Sequence, residues 1–312
     1  MESLKLSFES VMPIFLIMLL GYFLKRLKLA DKNTFDTMNK LVFKVFLPIL
    51  LFHNIYGTKL TKVMDLKLIA FTVSGILVIF ILGYFAVLLI SKDNPKRGVI
   101  FQGIFRSNFS ILGLPLVKYV CGENAGGLAS LMVAVIVPLF NILAVIALER
   151  FRDGNIHFKK LLKGIITNPL VIACGIGVVF LALQIKLPIF FENAVRDISK
   201  IASPLAMVVL GASFTFSSLK GYLREVVVTV AARLIIVPMI MLSMAVLLGF
   251  HGEALACLMV AFGSPVAVSS FAMAQQMGGD EKLAAHVVVI SSAFCLLTLF
   301  GWIFILDALK LF

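Results

Sequence analysis

Apolar runs of about twenty residues recur along the chain, separated by short polar connections, and few charges fall inside them. A hydrocarbon core about 30 Å thick is crossed by roughly 20 helical residues. On that measure the pattern predicts ten spanning helices, at 8–27, 36–56, 66–90, 97–119, 125–149, 164–184, 193–216, 224–248, 253–277 and 283–306. Barrel strands would show segments of about ten residues with alternating polarity, and these runs do not alternate. The expected fold class is an all-α integral membrane protein. The longest polar connection, Glu149–Lys160, is too short to bury a core of its own. The first run passes directly into Lys25–Lys28 with no small-residue cleavage site, so it reads as a retained helix.

The polar interruptions repeat. With an offset of about 156 residues, Phe46–Phe52 falls opposite Ala202–Val208, with Pro48 against Pro204, and Ser107–Asn124 falls opposite Ser264–Glu281. Residues 1–156 and 157–312 then each hold five helices. An odd number makes the second half enter the membrane from the other side, an inverted repeat of the kind common in secondary transporters. The densest interruptions are "RSNFSILGLP" (Arg106–Pro115) and "SPVAVSS" (Ser264–Ser270), in the fourth and ninth runs. Irregular backbone at membrane depth is tolerated only where protein buries it or it lines a cavity, and proline cannot continue a helical ladder. The expectation is that both helices break and cross near the midplane, aiming two half-helix N-termini at one spot. Free N–H groups and partial positive charge there suit an anion. Asn108 and Ser110, with Ser264, Ser269 and Ser270, are the expected ligands, and Gly113, Pro115 and Pro265, which shape the breaks, are expected to line the same substrate site.

Composition sharpens this picture. Hydrophobic residues make up 61% and charged residues 14%, against about 25% charged in soluble domains. The net charge of +12 is distributed by topology: Lys25, Arg26, Lys28, Lys32, Lys92, Lys96, Arg97, Arg150, Arg152, Lys159, Lys160, Lys163, Lys220, Arg224 and Lys282 fall on alternate connections. That side is expected to be cytoplasmic, with both termini outside. No basic patch with interleaved aromatics occurs, so nucleic acid is not an expected partner. Cys121, Cys174, Cys257 and Cys295 show neither metal spacing nor paired motifs and read as small packing residues.

Five stretches in order, "PIFLIMLLGYFLKR" (Pro13–Arg26), "NKLVFKVFLPILLF" (Asn39–Phe52), "SNFSILGLPLV" (Ser107–Val117), "NPLVIACGIG" (Asn168–Gly177) and "SPVAVSSFAMAQQMGGD" (Ser264–Asp280), resemble the auxin efflux carrier family. That family includes plant PIN proteins and bacterial permeases for malate and malonate. The resemblance covers the whole chain. It implies a crossed-helix fold similar to bile-acid symporters and sodium–proton antiporters, with a scaffold (1–60 and 160–218) and a mobile transport domain (61–150 and 219–312). It also implies elevator movement in a homodimer of the cell membrane, and substrate held at the position of Asn108. In plant members an asparagine adjoins the crossover proline of the ninth helix; here Ser264 precedes Pro265, a departure that bears on auxin as substrate. The long cytoplasmic loop of many plant members is reduced to "RFRDGNIHFKK".

Charge inside a membrane is a functional candidate by default. Arg106 can grip a carboxylate with its fork, or reach for the interface. Asp197 and Lys200, three apart, can neutralise one another or relay protons. His53 and His286 are candidates for proton coupling, and Lys44 and Arg233 are left to pair or to reach for polar surface. Exchange of cations would need carboxylates at the crossing, and none lies at 106–118 or 254–279. "SSLK" (Ser217–Lys220) lacks the companion motifs of a serine–lysine enzyme, and "GIG" (Gly175–Gly177) lacks a dinucleotide loop's third glycine. No enzyme activity and no cofactor are expected. The sequence predicts a carrier of a small organic anion such as a dicarboxylate or auxin-like weak acid, against an ion-coupled exchanger or a sodium symporter of another solute on the same fold.

Overall fold

With no water in a bilayer core to satisfy backbone N–H and C=O groups, an apolar run must bond within itself, and a helix does this. The computed structural model describes residues 2–58, 65–122, 125–152 and 158–312. Glu123, Asn124 and the middle of the Glu149–Lys160 connection, used in the reading of repeats and connections, lie outside them. The helices are α1 (Glu2–Arg26), α2 (Lys32–Leu41), α3 (Leu47–Tyr56), α4 (Leu66–Ile90), α5 (Asn94–Phe105), α6 (Phe109–Cys121), α7 (Gly126–Arg152) and α8 (Phe158–Ile166). The second half continues with α9 (Pro169–Ala182), α10 (Ile189–Ser213), α11 (Phe216–Leu219), α12 (Leu223–Ala231), α13 (Val237–Leu247), α14 (Gly252–Gly263), α15 (Ser269–Gln276) and α16 (Glu281–Ala308). Among the described residues there is no strand; an isolated antiparallel bridge joins Ser107 and Val266.

Among the described residues, four segments are long and apolar enough to cross a membrane: Leu66–Ile90, Gly126–Arg152, Phe216–Leu247 and Glu281–Ala308. Helices also occupy the other stretches expected to span, with differences that have local causes. The stretch 164–184 is not one helix, because Asn168 leaves the helical region and caps α9 through the Leu170 N–H, and Pro169 starts the new helix. Two of the expected spans contain a wide π turn, Val42–Phe46 between α2 and α3 and Ala232–Ile236 between α12 and α13. Each turn lies just before a proline, Pro48 and Pro238, whose ring would clash with the carbonyl four residues back. Lys44, on the first of these turns, is exposed. Asp31, Asp65 and Asp280 cap α2, α4 and α16 by accepting a backbone N–H three residues on.

Pro238 cannot donate to the Leu234 carbonyl, and the Trp302 indole N–H of α16 donates to it instead at 3.1 Å. Trp302→Phe is expected to cost about 1 kcal/mol of unfolding free energy, the scale of a hydrogen bond in a membrane protein. Reversible denaturant unfolding in detergent checks this, and an unchanged midpoint would mean the carbonyl finds another donor.

The helices pack in one connected set of contacts, with α1 also against α16 and α7 also against α3 and α9. α1 lies along α10, and α3 lies against α9 and α10; α5 packs on α4 and α7, and α14 on α6, α7 and α13. The packing of α14 on α6 and α7, and of α15 on α5, brings the α5–α6 and α14–α15 breaks together.

Candidate functional site

The site is built where two helices stop. α5 ends at Phe105 and Arg106 turns extended (φ −86, ψ 115), while α14 ends at Gly263 and Ser264 turns extended (φ −69, ψ 154). The second break follows from Pro265, which pushes the residue before it out of the helical region. The first has no proline: Pro115 lies inside α6, seven residues beyond Asn108, and is exposed. The fourth helix therefore breaks at Arg106–Asn108 and not at its proline, a correction to the expectation that Pro115 shapes the break. What satisfies the extended backbone is the other break, since the Asn108 N–H donates to the Pro265 carbonyl at 2.8 Å and Ser107 bridges Val266. The Val266 N–H in turn donates to Ser291 Oγ of α16 at 3.2 Å.

Both α6 and α15 begin at this crossing, so two helix N-termini, with the partial positive charge of their first turns, meet there. Arg106 points into it and is 3% exposed. Its Nη2 donates to Asn141 Oδ1 of α7 at 2.7 Å and to Ser269 Oγ of α15 at 2.9 Å, and its Nη1 donates to the Met273 sulfur. All three acceptors are neutral. Among the described residues no carboxylate pairs with Arg106, so a buried cation stands beside two positive helix ends with no counter-charge. Arg106 is not reaching for an interface, the alternative weighed for it.

Around it the Ser107 Oγ, Asn108 Nδ2, Ser264 Oγ and Ser270 Oγ atoms are buried without a hydrogen-bond partner among the described residues. The Ser270 carbonyl accepts from Gln102 Nε2 at 3.1 Å, which ties α15 to α5. The structure thus brings together Arg106, Asn108, Ser264, Pro265, Ser269 and Ser270. It does not bring Ser110 or Pro115, both exposed on α6, nor Gly113, which packs against the Phe109 ring one turn along. Helical phase is the reason: positions two, five and seven beyond Asn108 leave its face of α6 or climb away from the break.

The three coupling candidates lie apart from these residues. Asp197 is exposed on α10 and held by Lys200 Nζ at 2.7 Å, the structural pairing. His53 is half-buried on α3. His286 is 1% exposed; its Nε2 shares a hydrogen bond with Ser218 Oγ at 3.0 Å, and its ring packs on Phe214 and Tyr222. Cys174, Cys257 and Cys295 are buried free thiols and Cys121 is half-buried. Among the described residues no group of three or more metal-ligating side chains forms.

Three contributors escape the sequence reading. Asn141 is a lone amide in the apolar run of α7, a signal present but unread. Met273 and Gln102 carry no such signal, since either fits a packing role. Arg233, left unassigned, is fully buried and bonds only backbone carbonyls at the crossing.

The sequence matches the family described as Membrane transport protein over residues 6–157 and 154–303. It is 24% identical over 303 residues to an uncharacterized transporter of Methanothermobacter thermautotrophicus, covering 95% of this chain and 97% of that one. A protein of Rhizobium meliloti provisionally described as a malonate transporter is 23% identical over 314 residues, covering 95% of this chain and 94% of its own. The uncharacterized transporter YfdV of Escherichia coli is 22% identical over 303 residues, with coverage of 95% and 96%.

Proposed function

The chain belongs to the membrane transport protein family, the group of auxin efflux carriers that its motifs resemble, and from that premise we propose that it is a secondary transporter of small organic acid anions. One observation carries the reading: the buried Arg106 guanidinium, set beside two helix N-termini and bonded only to neutral acceptors. A buried cation is costly without an anion, and an incoming carboxylate supplies one. The carboxylate takes the Arg106 fork, exchanging Asn141 and Ser269 for charge-assisted bonds. Asn108 Nδ2 and the Ser264 and Ser270 hydroxyls, buried and unpartnered, hold the remaining oxygens.

In this reading ten spans form two inverted five-helix repeats. The matching twelve-residue lengths of α5 and α14, each followed by a break and a second short helix, support it. α1 to α3 with α8 to α10 are the scaffold of a homodimer in the cell membrane, and the crossing moves as a body against it with both termini outside. A malonate-type dicarboxylate is the first acid to try, because a relative carries that description. Cation exchange is the weaker reading, since the acidic groups it needs are replaced at the crossing by arginine.

The test is uptake of radiolabelled malonate, malate and indole-3-acetate into proteoliposomes under imposed pH, sodium and voltage gradients. Saturable uptake of one acid is expected, and Asn108→Ala is expected to lower kcat/KM at least about tenfold, the effect of one buried charge-assisted bond. Its unfolding midpoint should stay near wild type, because the Asn108 side chain caps nothing in α6. Uptake of none of the three acids by folded, inserted protein would count against the proposal.

A further inference from the structure

Arg233 has 0% of its surface exposed, and among the described residues no carboxylate pairs with it. Its fork is spent on main chain. Nε donates to the Ser264 carbonyl at 2.9 Å and Nη2 to the Ala261 carbonyl at 2.8 Å, both at the end of α14. Nη1 donates to the Phe105 carbonyl at 3.0 Å and approaches the Ile104 carbonyl at 3.5 Å, at the end of α5. The last carbonyls of a helix lack intrahelical donors and carry its partial negative charge. One guanidinium therefore closes the C-termini of both half-helices, which come from opposite halves of the chain.

The reach of Arg233 is built locally. It projects from the π turn Ala232–Ile236, where one extra residue per turn widens the helix, and π turns of this kind recur at functional sites. The turn is held from behind by the Trp302 bond to Leu234. A planar five-donor fork can serve two diverging helix ends at once, whereas an ammonium cannot.

We infer that Arg233 is a positioning residue for the anion site, setting the separation of the two breaks and through it the place of Arg106. Arg106 follows Phe105 directly in the chain, and Ser264 precedes the Pro265 carbonyl that takes the Asn108 N–H. Arg233 acts on the anion through the crossing, because each nitrogen of its fork already donates to main chain. The effect on affinity rests on the carrier reading above; the effect on the crossing does not.

The experiment compares wild type, Arg233→Met and Arg233→Lys as full chains in lipid nanodiscs by amide hydrogen exchange, and in proteoliposomes by transport kinetics. For Arg233→Met, exchange at the Arg106, Asn108 and Ser264 amides is expected to rise at least about tenfold while α1 and α10 keep their protection. KM for the carried acid is expected to rise about tenfold or more with a smaller change in kcat per inserted protein, since a positioning loss weakens binding. Arg233→Lys, which keeps the charge and loses the fork, should fall between. If Arg233→Met is not recovered folded, the lysine variant is read alone against the same expectations. Unchanged protection at the crossing, or protection lost equally along the whole chain, overturns the inference. Raised exchange at the crossing in a protein that carries none of the acids would keep the positioning role and remove the anion reading.

Discussion

Arg106→Gln is expected to lower kcat/KM for the carried acid roughly thirtyfold or more, while the empty protein unfolds at the same or a higher denaturant concentration. The two halves of this result come from one fact, a buried guanidinium whose partners Asn141, Ser269 and Met273 are all uncharged. Removing one member of a buried hydrogen-bonded charge pair costs about 2 to 5 kcal/mol, which converts to roughly thirtyfold to several thousandfold in affinity. In the empty protein the balance is opposite. A buried charge without a counter-charge contributes desolvation cost and little attraction, and glutamine keeps a donor for Asn141 or Ser269. Arg106→Lys separates charge from geometry: it keeps the cation but loses the two-pronged grip, so it should retain measurable binding with a raised KM. Ligand-dependent stabilisation is the direct measurement. Wild type should gain unfolding free energy as RT ln(1 + [L]/Kd), and Arg106→Gln should gain none at concentrations that saturate wild type. Normal uptake by Arg106→Gln would take the guanidinium out of the site; a large fall in stability with unchanged uptake would make it a strut between α5 and α7.

The fate of Arg106 shows how far a sequence of this kind can be read. Its place inside an apolar run and its neighbours Asn108, Ser264, Ser269 and Ser270 are legible, because polar groups in apolar runs stand out and because the two interruptions recur at matched places. What satisfies them is not legible. The fourth helix contains Pro115, yet it breaks at Arg106–Asn108, because the gain there comes from the Asn108 bond to Pro265 more than 150 residues away. Arg233 is hidden for a related reason: its acceptors are backbone carbonyls, which leave no mark on the side-chain pattern. Ser110 is lost to helical phase, which a list of polar residues ignores until the start of α6 is known. The α8–α9 break is a different case, since Asn168–Pro169 is a readable start signal sitting inside an apolar run that invites a single helix. The apolar helices follow from local chemistry; the breaks and the buried cations depend on long-range pairing.

Gly21→Val or Gly211→Val prevents recovery of folded protein, and the corresponding alanine variants each lose roughly 3 kcal/mol or more, at the upper end of overpacking. A Cβ on Gly21 would stand 1.9 Å from the Val208 carbonyl oxygen, and one on Gly211 would stand 1.8 Å from the Met18 carbonyl oxygen. These are reciprocal contacts between α1 and α10, each glycine lying against the other helix's backbone. Backbone cannot rotate aside as a side chain can, so even a methyl group must push the helices apart along their length. Between helices in lipid there is no hydrophobic driving force to hold a loosened pair, and close approach through small residues supplies the attraction. Separation by one methyl therefore forfeits contacts along the whole α1–α10 seam. The same reasoning predicts strong non-additivity: once Gly21→Ala has separated the helices, Gly211→Ala meets a gap that already exists. The double variant should lie within about 1 kcal/mol of either single one, far from their sum, as expected for residues sharing one backbone shift. Gly175→Ala is the control, because a Cβ there meets nothing within 4 Å, and alanine in a helix interior should be neutral or stabilising by up to about 1 kcal/mol. Equilibrium unfolding of the four variants in one detergent decides the matter, and losses that simply add would show that each glycine acts on its own contact and not on a common seam.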